Sequence, residues 1–248
     1  MRLLAIETAT IVQSVALVED DRLLAELSYE AQGNRGGMLL PTVDRVLQKA
    51  GVAARDLDAV AVSVGPGSFT GLRVGLATAK GLALGSGARL VGVPTLEALA
   101  EGYAPANVTV CALLDAYRDE VYMAVFRRVG AGGGEGRALE RVSPDAVLAP
   151  DAVASALAEI GGPLHLIGNG AARYRAQLEA ALGGRACMTD EGLRAVPSAA
   201  VVARLGLKRL AGGSKPDAEV ALLYLRRAEA EVQREKGLLK APLARVLR

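Results

Sequence analysis

The order in which apolar runs follow one another limits the fold more than any other feature of this chain. LLAIETA (residues 3–9), QSVALVED (13–20) and RLLAELSYE (22–30) read as three successive strands. Glu19-Asp20-Asp21 is a polar break of the kind that joins antiparallel neighbours. GGMLLPTVDRVLQKAG then has helical spacing, with Leu39, Val43, Val46, Leu47 and Ala50 on one face. Proline is tolerated only in a helix's first turn, so Pro41 puts the start near Met38, and Gly51 is a stop signal. DAVAVSV (58–64) reads as a buried strand with valines at 60, 62 and 64. After a glycine loop come a helix over 70–86, the strand RLVGV and a helix beginning at Pro94. The predicted order is β-β-β-α-β-α-β-α.

The second half runs in a similar order. VTVCALLDA (108–116) and EVYMAVFRRV (120–129) are strands joined by Tyr117-Arg118-Asp119, and GAGGGEG (130–136) is a turn. DAVASALAEI is an amphipathic helix, PLHLIG a strand and AARYRAQLEAAL a helix. A further helix, SAAVVARLGLKRLAGG, closes at Gly212-Gly213. Identity between the halves is too low to mark a repeat, but the shared order predicts two α/β lobes of related topology with a cleft between them. The expected division is a first lobe over 1–104, a second over 105–225 and a basic tail over 226–248, with the boundary near Ala104 to Asn107.

The chain's 248 residues suffice for one large or two small cores. With 51% hydrophobic and 23% charged residues it is ordinary for a globular protein and unlike a disordered one. Six Tyr, two Phe and no Trp argue against base stacking on aromatic platforms as a way to hold RNA or DNA. A formal net charge of +2 exerts no strong pull on polyanions. The N-terminal stretch carries Glu7, Gln13 and an acidic end, unlike a signal peptide or a membrane span, so a cytoplasmic location is expected. Cys111 and Cys187 lie far apart without metal-ligand spacing and read as inert thiols.

The glycine loop VSVGPGSFTGLRVG (62–75) invites comparison with phosphate cradles. A Walker A loop needs a Lys after the second glycine, and the charge here is Arg73. The dinucleotide fingerprint fails because Thr70 stands where its third Gly belongs. Pro66 and Thr70 flank Ser68 where a nucleophile elbow needs Gly. The chain's one histidine, His165, sits in an apolar strand, where a satisfied core residue is commoner than a base. The loop therefore reads as a turn that launches a helix, with Ser68 or Thr70 as its cap.

That helix carries Gly71, Gly75, Ala79 and Ala83 every fourth residue, a nearly bare ridge on one face. Such a ridge either packs on its own sheet or receives a partner helix. The preceding helix presents Met38, Leu39 and Leu40 in succession, and one face cannot bury all three. This favours an association surface made of these seven residues.

GPGSFTGLRVG, with the upstream LLP of MLLPTVDRVL, resembles the signature of the bacterial TsaB (YeaZ) family. The opening LLAIETAT…SVAL, LLDAYRDEVYMAVF, GNGAARY (168–174) and YLR (224–226) agree with it, so the likeness spans nearly the whole chain. It implies the two-lobed α/β fold of the actin, hexokinase and Hsp70 group. It also implies a part in making N6-threonylcarbamoyladenosine next to the anticodon of tRNAs that read ANN codons. Sequences of this kind are often labelled peptidase M22 or glycoprotease after the catalytic paralogue TsaD.

The paralogue holds a metal with two histidines on the helix corresponding to residues 37–50. This chain has Asn34, Arg35 and Met38 there and no histidine, so no metal site is expected. In actin-like folds the first strand turn has an Asp-x-Gly-Thr pattern, whereas here it is Glu7-Thr8-Ala9-Thr10. Ala9 adds a Cβ where phosphate would sit. Thr8, Thr10, Asp115, Gly168 and Gly170 are the remaining candidates for a nucleotide contact, and weak or absent ATP binding is expected, with no cofactor. The resemblance implies a non-catalytic scaffold whose partners are a TsaD-like subunit and a TsaE-like ATPase, with a homodimer when alone, tRNA met mainly through the complex, and no membrane. The alternative is an M22-like metallopeptidase or an ATP-dependent enzyme. Direct tRNA binding by 226–248, with seven Arg or Lys against three Glu, is a third reading beside a solvated tail.

Overall fold

The computed structural model describes residues 1–31, 37–103, 107–129, 138–193, 195–212 and 220–225. The first sheet is formed by β1 (Arg2–Glu7), β2 (Val12–Glu19), β3 (Arg22–Glu30), β4 (Ala59–Gly65) and β5 (Arg89–Pro94), in the order β3-β2-β1-β4-β5. The first three strands form an antiparallel meander, and β1, β4 and β5 run parallel. The second sheet is formed by β6 (Thr109–Tyr117), β7 (Glu120–Val129), β8 (Ala138–Arg141), β10 (Leu164–Ile167) and β11 (Ala186–Cys187), in the order β11-β10-β6-β7-β8, with β9 (Ala146–Leu148) paired to β7. Read from the meander edge, both sheets have one topology: third strand, second, first, fourth, fifth. The shared order anticipated from sequence is therefore a shared fold, the two-lobed actin-like architecture.

The central strands are buried on both faces, which is why β1 and β4 read as continuous apolar runs rather than as alternations. Leu4, Ile6, Val60, Val62 and Val64 point to one side of the first sheet. There α1 (Leu39–Ala50) and α2 (Phe69–Ser86) cover them with Leu39, Val43, Val46, Leu76, Ala79 and Ala83. Leu3, Ala5, Ala16, Ala59 and Ala61 point to the other side. The alanines leave room for a close helix, and α8 (Ala199–Ala211) fills it. A Cβ at Gly206 would lie 2.9 Å from that of Ala61. On the second sheet, α4 (Pro150–Ala158) and α6 (Arg175–Leu182) cover one face, and α3 (Thr95–Tyr103) covers the other with Leu96, Leu99 and Ala100.

Each half thus ends in a helix that packs on the other half's sheet. α8 falls by number within the expected second lobe, 105–225, yet its apolar face lies on the first sheet. Residues 220–225 return to the first sheet too, where Val220 is buried in its core. The two crossing helices are also tied by charge. Glu101 of α3 binds Arg128 of β7 at 2.8 Å and Lys208 of α8 at 3.1 Å, and Glu97 binds Arg209 at 2.7 Å.

Local signals account for the ends of α1. Met38 is its N-cap, and Gly51 caps its C-terminus at φ 65°, with the Gly51 and Val52 amides donating to Gln48 and Leu47. The helix expected over 171–182 is divided at Tyr174, between α5 (Asn169–Arg173) and α6. Tyr174 caps both helices, its amide donating to Gly170 O and its carbonyl accepting from the Leu178 amide, while its buried side chain donates to Asp119. The tail 226–248, the turn 130–136, the stretch around Asn34 and Arg35 and the boundary residues 104–106 lie outside the described residues.

Candidate functional site

Two places could carry function: the cleft between the sheets and the outer face of α1 and α2. Ala9, Thr10, Ile11, Gly67, Ser68, Leu114, Asp115, Tyr117 and Asn169 line the cleft. It forms where β1, β4, β6 and β10 all end, the switch point at which parallel sheets bind ligands.

The turns at this point are built by close packing. Gly65 (φ 107°) ends β4, and a Cβ at Gly67 would meet Ala9 O at 2.5 Å. Across the pseudo-symmetry, Gly168 (φ 93°) and Gly170 press on the backbone of Leu113 and Leu114. These glycines let chain segments approach closely. The Ser68 amide donates to Ala9 O at 2.7 Å, and Ser68 Oγ accepts from the Gly71 amide at 3.3 Å as the N-cap of α2. Of the two hydroxyls offered as caps, Ser68 is the one used.

The candidate nucleotide residues divide. Thr10 and Asp115 face the cleft, joined by Asn169, whose Oδ1 accepts from the Asp115 amide at 3.0 Å. Thr10 Oγ1 donates to Val12 O at 2.7 Å. Asp115 binds Arg173 at 3.2 Å and accepts from the Tyr117 amide at 2.9 Å. Thr8 is fully buried beneath α2, and Gly168 and Gly170 are buried against β6, so none of these three reaches the cleft. The carboxylate of Glu7 is likewise buried, and burial pushes its pKa up to about 7. It accepts from the Ala9 amide at 2.6 Å, and its Oε2 has no partner among the described residues. A nucleotide does not fit these residues well. Ala9 fills the phosphate turn, Pro66 has no amide donor, the Ser68 amide is spent on Ala9, and the Arg173 guanidinium at the cleft is already paired.

One wall of the cleft is a strained turn. Tyr117, Arg118 and Asp119 all have left-handed backbones, at φ 59°, 55° and 55°, where glycine or asparagine is usual. A chain of contacts holds them: Asp115 to Arg173, Arg173 Nε to Tyr174 OH at 3.2 Å, and Tyr174 OH to Asp119 at 3.5 Å. Such outliers persist only where their surroundings fix them. No three residues of His, Cys, Asp or Glu come together among the described residues. His165 is half-buried in β10.

The seven residues expected to form an association surface do not lie on one exposed face. Gly71, Gly75, Ala79 and Ala83 are all buried and face the protein's own sheet, so they correct the expected partner ridge. A Cβ at Gly71 would collide with Thr8 O, and one at Gly75 with Thr8 Oγ1. The physical reason is that α2 lies directly over β1 and β4 and needs small residues to approach them. Leu39 is also fully buried, whereas Met38 and Leu40 are 50% and 60% exposed. Of the three, Leu39 belongs to the core, and Met38 and Leu40 are the exposed ones.

A second row on α2 points outward: Arg73, Ala77, Gly81 and Gly85 are exposed, and Leu84 is 88% exposed. A Cβ at Gly81 or Gly85 would meet nothing within 4 Å. The same helix thus bears two rows of small residues, and the sequence signal of four-residue spacing fits both. Phe69, Arg73 and Tyr224 form an exposed cluster that sequence reasoning passed over. Its signal was the i, i+4 spacing of Phe69 and Arg73 on one helix.

Comparison with known proteins bears on both places. The family model described as "TsaD: tRNA N6-adenosine threonylcarbamoyltransferase" matches residues 31–231. The chain is 38% identical over 174 residues to the tRNA threonylcarbamoyladenosine biosynthesis protein TsaB of Escherichia coli, covering 68% of this chain and 72% of that one. It is 28% identical to the Bacillus subtilis protein of the same name, covering 94% and 97%. Among solved structures, YeaZ from Pseudomonas aeruginosa superposes with a TM-score of 0.70 at 28% identity, covering 90% of this chain and 99% of that one. The family match takes in α1, β4, the glycine turn, α2, β5 and the whole second sheet, and with the 38% identity to TsaB of Escherichia coli it places the chain in the TsaB family of tRNA threonylcarbamoyladenosine biosynthesis proteins.

Proposed function

We propose that this chain is a non-catalytic subunit that binds a TsaD-type transferase and supports threonylcarbamoyl transfer to tRNA. The observation that carries the reading is the outward face of α1 and α2, where Met38, Leu40 and Leu84 stand exposed on two helices covering one side of the first sheet. Large apolar side chains exposed on one side of a protein are commonly covered by another surface. The cleft supports the non-catalytic half of the proposal, because Thr10, Ser68 and Asp115 are each engaged in bonds within the protein. In this reading tRNA and a TsaE-like ATPase are met through the assembled complex, the same face pairs two copies when the chain is alone, and the work is done in the cytoplasm. No helix among the described residues is long and apolar enough to cross a membrane.

The test is to mix the purified chain with the TsaD-type subunit of the same organism and measure the mass of the product. A stoichiometric complex is expected, together with tRNA modification that requires both chains. Leu84→Asp and Leu40→Asp should each abolish the complex while leaving the fold intact. Failure of the wild-type chain to bind, or undiminished binding by both variants, overturns the proposal.

A further inference from the structure

Arg73 is held in an unusual way for an exposed residue. Its guanidinium carbon lies 3.7 Å from the centre of the Phe69 ring and 5.8 Å from that of Tyr224. Its Nε donates to Tyr224 OH at 3.0 Å. The two rings pack with centroids 5.6 Å apart at 42°. Tyr224 comes from a distant part of the chain, tied down by the Leu223 amide, which donates to Val64 O at 2.8 Å, and by the buried Val220. Two segments 151 residues apart therefore meet to orient one cation.

That cation has no acid among the described residues. Among the described residues no carboxylate lies within 4.0 Å of Arg73, whereas Arg2, Arg128, Arg173 and Arg209 each have one. The Nε donor is spent on Tyr224 OH, and among the described residues the two terminal nitrogens have no hydrogen-bond or ion-pair partner. An arginine already fixed by stacking loses less freedom on binding, and its fork matches a carboxylate.

We infer that Arg73 is an anchor for an Asp or Glu side chain of the protein partner that docks on the outer face of α2. The inference rests on the proposed function, since it takes that partner to be the TsaD-type subunit. Position decides for a protein partner over a nucleic acid. Arg73 begins the outward row that continues through Ala77, Gly81 and Leu84, so it is continuous with the proposed docking face. The residues against it are aromatic, Phe69 at 38% and Tyr224 at 48% exposure. Aromatic residues around an arginine make up the usual centre of a protein interface, and phosphate tracking needs several cations in a row.

Titration calorimetry at low and high salt tests this with the full chain and the TsaD-type subunit. Arg73→Met is expected to weaken the complex at least about tenfold at low salt and to flatten its salt dependence, with Arg73→Lys falling between it and wild type. Where Arg73→Met fails to fold, Arg73→Gln carries the same test, because it keeps a planar polar group over Phe69 and a donor for Tyr224. Wild-type binding with undiminished affinity in Arg73→Met or Arg73→Gln overturns this inference alone. Unchanged subunit affinity combined with weakened tRNA retention also overturns it and assigns Arg73 to phosphate. Absence of any wild-type complex overturns the proposed function and this inference with it.

Discussion

Gly75 of α2 lies against Thr8 at the end of β1, so close that a Cβ would run into the threonine hydroxyl. The contact seats the second helix on the central strand pair of the first sheet. Gly75→Ala should therefore destabilise the fold, by about 1–3 kcal/mol for an overpacked core position. Thr8→Ala removes the obstructing atoms, and Thr8 Oγ1 has no partner among the described residues to lose. The double variant should accordingly recover part of the loss. A denaturant cycle on the four proteins measures the coupling, and strict additivity would contradict the contact. Gly75→Leu should unfold the first lobe rather than selectively loosen a complex.

Glu7 makes stability fall with rising pH. Burial raises its pKa from 4.5 to about 7 in the folded chain. Between these values the folded state holds the proton more tightly than the unfolded state, so ionisation favours unfolding. The stabilising effect of the protonated acid is complete below the unfolded value and is lost as pH rises toward about 7. The shift corresponds to about 3 kcal/mol at most, to order of magnitude. Glu7→Gln should remove this slope and be the more stable protein above neutral pH. Urea midpoints measured across that range check it, and a wild-type midpoint that climbs with pH through the window would refute the assignment.

Much of this was legible in the sequence, and what was not has physical causes. The paired strand orders could be read because each buried strand leaves a run of Val, Leu, Ile and Ala, and each helix a four-residue spacing. The division between the halves was harder to read. α8 follows the second sheet in the chain but packs on the first, and nothing in its amphipathic pattern says which sheet its apolar face meets. The alanines at 5, 16, 59 and 61 were the available clue, since a sheet face that small invites a close helix. The direction of α2 was misread because two rows of small residues share one helix, and close packing of Gly71 and Gly75 on Thr8 chose between them. Of the candidates for the cleft, Thr10 and Asp115 were found, while Thr8, two residues from Thr10 along the turn, points under the helix instead.

Glu101 and Arg128 form a buried pair, each side chain less than a tenth exposed, at the crossing of α3, α8 and the second sheet. Arg128 Nε has no partner among the described residues, and Glu101 O accepts a further bond from an Arg128 terminal nitrogen at 3.2 Å. Removing the acid leaves a cation with little water around it. Glu101→Ala should cost about 3–5 kcal/mol. Replacing both, as in Glu101→Leu with Arg128→Met, should restore most of that, because the apolar pair carries no uncompensated charge. Thermal unfolding of the single and double variants distinguishes this from an ordinary surface salt bridge, for which Glu101→Ala would cost less than about 1 kcal/mol.

Ser68 sits where the glycine turn, the cleft and the start of α2 meet, and its role can be separated from a phosphate-binding one. Its Oγ accepts from the Gly71 amide, while its own amide donates to Ala9 O, so both groups work within the protein. Ser68→Ala should cost about 1 kcal/mol through the lost cap. Thr70 is exposed and caps nothing in α2, so Thr70→Ala should change stability little. ATP titrated into wild type and the Ser68→Ala, Thr70→Ala double variant should give the same weak or absent heat, since Pro66 supplies no donor and Ala9 occupies the turn. A clear wild-type signal that disappears in the double variant, with an unaltered melting temperature, would make the turn a phosphate site and sink the capping account.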